Sequence, residues 1–549
     1  MKKNAFYALL LAFAGFGLAS CSSPAKMAKN PELVTVSCTP EVLEVVADVI
    51  NATYTVSFAE GYFHPKAILE IVPVLVYDGG EEVAPTLNLQ GEKILDNYKV
   101  IPVAGASAAH AIQFAFVPGM ENSHLELRLT VMDTKENRYP YPAPYKVADG
   151  AITTYKLASL SGYTAFAPDA YQEIIREQKE AQIMYLVNSS EVRSKELTKN
   201  EIKEFEQFLA NAIKDERRDV KNTEIIAYAS PEGPTPLNDK LSANREKSAE
   251  TAYKNVTKKI ATGIDLKTVS VGEDWEGFKE LVAKSDVHDK DLILRVLEMY
   301  NDPNVREREI RNMSKVFTTL QEKVLPDLRR ARLIANVDFT NYTSDELLDM
   351  VNNQIDLLDE EALLRVGTLL TKNSDKITAY KQAAEKFNSS RGYNNLATCY
   401  LNNDDLDAAK AALAKAFNQD SYVKNNLGVV ALREGKYEDA YALFTQAGLT
   451  ESNYSMGVID IINGKYEDAV TKLAGEGFHN EAIAYLLTGQ NDKAAATITC
   501  ECPKASYIRA IVAARKGDKD TWAKEMEVVN ANENFQARAA SDIEFAKIK

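Results

Sequence analysis

Two sets of residues combine types and spacing that suit chemistry, and a third falls short of it. Cys21 ends the run Leu18-Ala19-Ser20-Cys21, behind an uncharged apolar stretch from Ala5 to Ala19 and the basic opening Met1-Lys2-Lys3. Its thiol is the one strong nucleophile of that run and suits thioether formation with a lipid. Between Ile225 and Ala249 the chain gathers Ser230, Glu232, Asn238 and Arg245, which offer hydrogen bonds and one charge of each sign. The third set is the remaining cysteines, Cys38, Cys399, Cys500 and Cys502, and the histidines His64, His110, His124, His288 and His479. They are scattered and show no metal-ligand spacing. Cys500-Glu501-Cys502 is too tight for a Cys-x-x-Cys redox pair, so packing cysteines are expected and no metal site. Nucleophile elbows, phosphate loops, dinucleotide glycines and His-Glu-x-x-His do not occur in a convincing context. The expectation is therefore a chain with no catalytic residues and no cofactor.

The elements around Cys21 explain its role. The apolar stretch is shorter than the roughly 20 residues that span a bilayer, and it has the flanks of a signal h-region. Leu-Ala-Ser-Cys resembles a lipobox, which implies a lipoprotein signal peptide over 1–20 and a lipid on Cys21. Two or three acyl chains make such an anchor stable, at about 0.8 kcal/mol per buried methylene. The polar stretch 21–31 reads as an unstructured tether. It carries no acidic run, which favours the periplasmic face of an outer membrane.

The chain has 549 residues and a net charge of −15, so three or four domains are expected and nucleic acid is an unfavourable partner. From 32 to 160, short alternating runs such as Val34–Cys38, Tyr54–Phe58, Ile112–Phe116 and Leu125–Val131 predict an all-β sandwich. Ile68–Val76 is a longer strand, and Pro73 within it points to an edge or a bulge. Tyr139-Pro140-Tyr141-Pro142 suits an edge or linker better than a glycan-facing surface.

From 180 to 340 the pattern alternates strand and helix, with strands predicted at 183–187, 223–228, 268–272 and 332–339, a helix over 200–213, and helices inserted at about 275–330. Trp275 suits core packing better than a partner anchor. Within this region, Ala227-Tyr228-Ala229-Ser230, the glycine loop at Gly233, and Asn238 with Leu241-Ser242 and Arg245 resemble the OmpA-like, peptidoglycan-binding domain. The resemblance implies an α/β domain in which Arg245 grips a carboxylate of diaminopimelate while an acid pairs its ammonium. Ser230 stands where that family has aspartate, and Glu232 is the candidate substitute. Ser230, Glu232, Asn238 and Arg245 are thus the wall-binding candidates.

From 344 to 549 the chain reads as repeated helix pairs. Asn395-Leu396-Ala397, Asn426-Leu427-Gly428 and Ser455-Met456-Gly457 open successive copies, and Gly435-Lys436-Tyr437-Glu438-Asp439-Ala440 recurs as Gly464-Lys465-Tyr466-Glu467-Asp468-Ala469. This resembles tetratricopeptide (TPR) repeats with a shortened period, and implies an α-solenoid whose concave face holds a protein partner. Together these features predict a multidomain, non-catalytic envelope lipoprotein, held to a membrane by lipid, touching peptidoglycan, and docking protein partners. The alternatives are a surface-exposed lipoprotein binding glycan or an outer-membrane protein, and, least favoured, a wall-modifying enzyme.

Overall fold

The structure is a computed structural model and describes residues 23–258, 260 and 263–548. The leader 1–20 and Cys21 lie outside the described residues. The chain divides into two compact units, one formed by the residues up to 168 with those from 376 onward, the other by 169–375.

The first unit begins with a β-domain. Strands Val34–Thr39, Val49–Phe58 and Ala106–Ala115 pair antiparallel around the long middle strand. Strands Ala67–Tyr77, Ser123–Asp133 and Tyr145–Ile152 form a second antiparallel set, and the short strand Val42–Val46 joins the two. Buried residues alternate along these strands, as in Val49–Phe58, so each sheet turns one face to the core. Pro73 is not on an edge, because its strand pairs on both sides. One neighbour changes there, from Leu87–Gly91 to Gly80–Val83, and the Pro73 carbonyl accepts from Ala84 N on that side. The missing N–H therefore falls at a break between two partner strands, where no ladder bond is lost. Arg138–Pro140 is an edge strand on Thr130–Met132.

The expected free tether over 21–31 is corrected. Pro24–Met27 is a helical turn whose last residue is fully buried. Tyr62 Oη donates to Met27 O at 2.8 Å and Tyr145 Oη to Pro31 O at 2.7 Å. Burial of Met27 under the sheet outweighs the polar character of its neighbours.

The rest of this unit is helical. Pairs Ser390–Asn402 with Leu406–Leu413, Ser421–Arg433 with Tyr437–Ala447, Thr450–Ile462 with Tyr466–Leu473, His479–Leu487 with Asn491–Thr497, and Pro503–Lys516 with Lys519–Asn530 follow one another. A Cβ on Gly428 would stand 2.7 Å from the Phe444 ring, so only glycine lets this pair close. Buried residues of the β-domain, such as Leu43 and Tyr155, share one apolar core with Val458, Ile461, Tyr507 and Phe545 of the later helices. The β-domain and the end of the helical array thus fold as one body.

The second unit has a four-stranded sheet in the order Ile174–Met184, Arg330–Thr340, Arg218–Ala229, Leu266–Glu273. The last two are parallel and the other pairings antiparallel. Helices Asn200–Lys214 and Thr235–Thr257 connect the strands, and Ile202, Phe205, Leu209, Ala249 and Tyr253 pack against Ile183, Ile225 and Leu333. The helices between 275 and 328 have a small core of their own, centred on Phe278, Ile293, Ile310 and Leu320. Helices Ser344–Asn353 and Glu360–Leu369 also belong to this unit.

Candidate functional site

In the α/β unit the polar residues collect at one end of the sheet. The parallel strands 218–229 and 266–273 end there, and strand 330–340 begins there. In open α/β sheets this carboxyl end is where ligands settle. Arg329, Arg330 and Arg332 open the last strand, and each is bound to a carboxylate. Arg329 forks onto Glu232 at 2.8 and 3.2 Å, Arg330 onto Asp274 at 3.1 and 2.8 Å, and Arg332 onto Glu180 at 2.7 and 2.6 Å. The second and third pairs line a cleft of about 530 Å3 together with Glu273, Trp275, Glu280 and Lys284. Burial pushes the Glu180 carboxyl up, but the Arg332 fork outweighs it and holds the group below the usual carboxylate range.

The four residues singled out by resemblance surround this end in differing roles. Ser230 Oγ donates to Glu232 at 2.6 Å, so serine orients the acid that Arg329 holds. Asn238 Nδ2 donates to Gly233 O at 2.7 Å and to Glu273 at 2.8 Å, closing the glycine loop. Trp275 Nε1 donates to the other oxygen of Glu273 at 2.9 Å, and its ring stands 5.7 Å from Phe278, between core and cleft. Arg245 is 0% exposed. It donates to three main-chain carbonyls, Ser189 at 3.0 Å, Tyr228 at 2.9 Å and Leu186 at 3.2 Å. Among the described residues no carboxylate forms a salt bridge with it; Glu232 goes to Arg329 instead. Burial pulls the Arg245 guanidinium down to about 10, so it is charged at neutral pH. Arg245 therefore ties the loop after strand 174–184 to the end of strand 218–229, beneath the site. Arg329, Arg330 and Arg332 went unread in the sequence, although Arg329-Arg330-Ala331-Arg332 directly before a strand was the available signal.

The side of the helical array lined by the first helices of successive pairs is covered by the chain itself. Residues 159–168, between the β-domain and the α/β unit, run along it as a strap that turns at 160–161 and carries no helix or strand. Ser159 N donates to Asn480 Oδ1 at 2.8 Å, Tyr163 N to Ser455 Oγ at 3.0 Å, Ala165 N to Asn426 Oδ1 at 2.9 Å and Ala167 N to Asn395 Oδ1 at 2.7 Å. The same amides return the bond. Asn480 Nδ2 donates to Ser159 O at 3.3 Å, Asn426 Nδ2 to Ala165 O at 2.8 Å and Asn395 Nδ2 to Ala167 O at 2.9 Å. The first helix of four successive pairs supplies one such residue, so the array reads the strap as a sheet edge reads an added strand.

Side chains complete the fit. Gly162 has φ +69° and lies against Val429 and Leu432, which a Cβ would meet at 3.1–3.2 Å. The Tyr163 ring stands 5.4 Å from Tyr454, and its hydroxyl donates to Glu476. Burial, and then Glu476, raise that phenol far above its usual range, so it is a neutral donor. This side of the array is thus taken up by residues 159–168 of the same chain. A side-chain amide presents a donor and an acceptor together, which is what an extended backbone segment needs from a face that excludes water. Asn395, Asn426, Ser455 and Asn480 are the functional residues that sequence reasoning missed. Their signal was a polar residue at the same place in each copy.

Cys38 and Cys399 are buried, as expected of packing cysteines, and neither is in a disulfide among the described residues. Cys500 and Cys502 are part-buried and lie close to His479.

No protein-family model matches the chain, and no curated protein matches it. Among solved structures, one from the functional characterization of Pseudomonas aeruginosa pilF is 15% identical, with 36% of this chain and 98% of that one covered at TM-score 0.28. A tetratricopeptide repeat protein from Parabacteroides merdae is 13% identical, covering 36% and 91% at TM-score 0.28. The Cut9–Hcn1 hetero-tetramer of the APC/C is 12% identical, covering 57% and 71% at TM-score 0.32.

Proposed function

We propose that this protein is a non-catalytic scaffold of the cell envelope, held to the outer membrane by lipid on Cys21 and facing the periplasm. Its α/β unit binds peptidoglycan, and its solenoid unit serves protein partners. The observation that carries the wall reading is the cleft lined by the Arg330–Asp274 and Arg332–Glu180 pairs. Diaminopimelate presents carboxylate and ammonium side by side. A lining of paired arginines and carboxylates offers a partner to each, by exchange of a protein pair for two protein–ligand pairs. The ligand-facing role therefore moves from Arg245, which is buried, to Arg332, which is reachable. Because the chain is packed from Pro24 onward, the β-domain would sit within a few residues of the lipid.

Co-sedimentation of the purified protein with sacculi tests this. Wild type is expected to pellet with the wall. Arg332→Gln removes one charge from a part-exposed site and is expected to lower retention at least fivefold with the fold unchanged. Equal retention of both would remove the cleft from the reading, and no retention of wild type would remove the wall.

A further inference from the structure

We propose that His479, Cys500 and Cys502 form a binding site for a thiophilic d10 metal ion, zinc(II) or copper(I), with two thiolates and one imidazole as ligands. Two pieces of chain bring them together. His479 opens helix His479–Leu487, Cys500 lies in the connection after helix Asn491–Thr497, and Cys502 immediately precedes helix Pro503–Lys516. His479 Nε2 is 3.0 Å from Cys502 Sγ and 3.4 Å from Cys500 Sγ, and the two sulfurs are 3.3 Å apart. Such a triangle has a centre roughly 1.9 Å from each ligand atom. An ion seated about 1 Å to one side is then within about 0.2 Å of the 2.0–2.3 Å that zinc takes from nitrogen and sulfur.

Arg509 Nη1 donates to Cys500 O at 3.0 Å and Arg509 Nε to Glu525 at 2.9 Å, which fixes the loop that carries the first thiol. All three residues are part-buried, so an ion has access from solvent. Among the described residues no other group of three or more histidines, cysteines and acids converges in this way. Two thiolates and a soft geometry exclude magnesium and calcium and select zinc or copper(I). Binding replaces two S–H protons by two metal–sulfur bonds and releases those protons to solvent, with no change of oxidation state.

The test is a competition titration of the reduced full chain with zinc and, separately, with copper(I), read against a chromophoric chelator. One equivalent is expected to bind, with protection of two thiols from alkylation. Cys500→Ser, Cys502→Ser and His479→Ala are each expected to weaken binding at least tenfold, while Cys399→Ser and Cys38→Ser leave it unchanged. Retained circular dichroism and an unaltered melting profile of the metal-free variants show that the loss is local. Absence of stoichiometric binding of either ion, binding that survives all three substitutions, or a Cys500–Cys502 disulfide in protein isolated under non-reducing conditions would overturn the proposal.

Discussion

Removal of one amide from the ladder isolates what the strap contributes. Asn395 is fully buried and makes two bonds to one residue, accepting from Ala167 N at 2.7 Å and donating to Ala167 O at 2.9 Å. Asn395→Ala leaves both main-chain groups without that partner in a site closed to water. A buried group stranded in this way costs about 1–3 kcal/mol, and two groups partly relieved by local relaxation give roughly 2–4 kcal/mol for opening of the strap. At about 1.4 kcal/mol per decade, amide exchange across 159–168 should speed up by roughly 30- to 1000-fold, while exchange in the β-domain core stays unchanged. Hydrogen exchange read by mass spectrometry over the strap peptide measures this directly. Asn426→Ala should act similarly, because Asn426 also brackets Ala165. The two losses should not add. Asn426 donates to Asn394 at 2.9 Å and Asn394 to Asn395 at 3.1 Å, so the amides form one network. Strap exchange that changes less than threefold in both variants would refute the ladder as the source of the strap's order.

Three further outcomes follow from packing and charge. Arg245→Ala should destabilise the α/β unit by about 3–5 kcal/mol, since a buried cation and its three carbonyl contacts vanish together; in a Trp522→Phe background, Trp275 fluorescence during urea unfolding reports this unit, and a change below 1 kcal/mol would contradict the buried role. Glu180 titrates below its unfolded value of about 4.3, so its contribution is complete above that pH and is lost as pH falls through the folded value; wild type should therefore lose more stability between pH 5 and pH 3 than Glu180→Gln, measured by the same signal. Gly428→Ala places a methyl 2.7 Å from Phe444, and the overpacking of about 1–3 kcal/mol should exceed the helix preference of roughly 1 kcal/mol; differential scanning calorimetry should show a lower transition that Phe444→Leu restores.

The readable parts of this chain were those with a local signature. Alternation marked the strands at 49–58, 67–77 and 123–133, because half of each buries apolar side chains. The strand at 174–184 was placed too late, starting at Ile183. Its first half, Arg176-Glu177-Gln178-Lys179-Glu180, is an edge that pairs only with 330–340, and edges tolerate charge at the expense of alternation. The helix pairs were visible through Gly428 and Gly457, whose small size is a local demand. The role of Asn395 and Asn426 was not, because their partner lies more than 220 residues away in sequence and a polar residue on a helix reads as solvent-facing. Arg245 misled for a related reason: an arginine in register with a binding motif and an arginine tying two loops look alike without the carbonyls in view. His479 and the two cysteines were hidden by a separation of 21 and 23 positions along the chain.

The strap changes what the solenoid is for. An array of this kind ordinarily offers its concave face to an extended segment of another protein. Here the matching segment is in the same chain and joined directly to the β-domain, so it competes with any external peptide at an effective concentration set by a short connection, of the order of millimolar or more. The strap's far end is also where the chain leaves this unit: Phe166 packs 5.8 Å from Tyr380, Lys376 lies over the Phe166 ring at 5.4 Å, and Arg391 donates to Pro168 O at 3.4 Å. Exit at 168 and return at 376 are therefore fixed beside each other by the residues that hold the strap. A partner that entered the groove would have to displace residues 159–168 from the asparagine ladder.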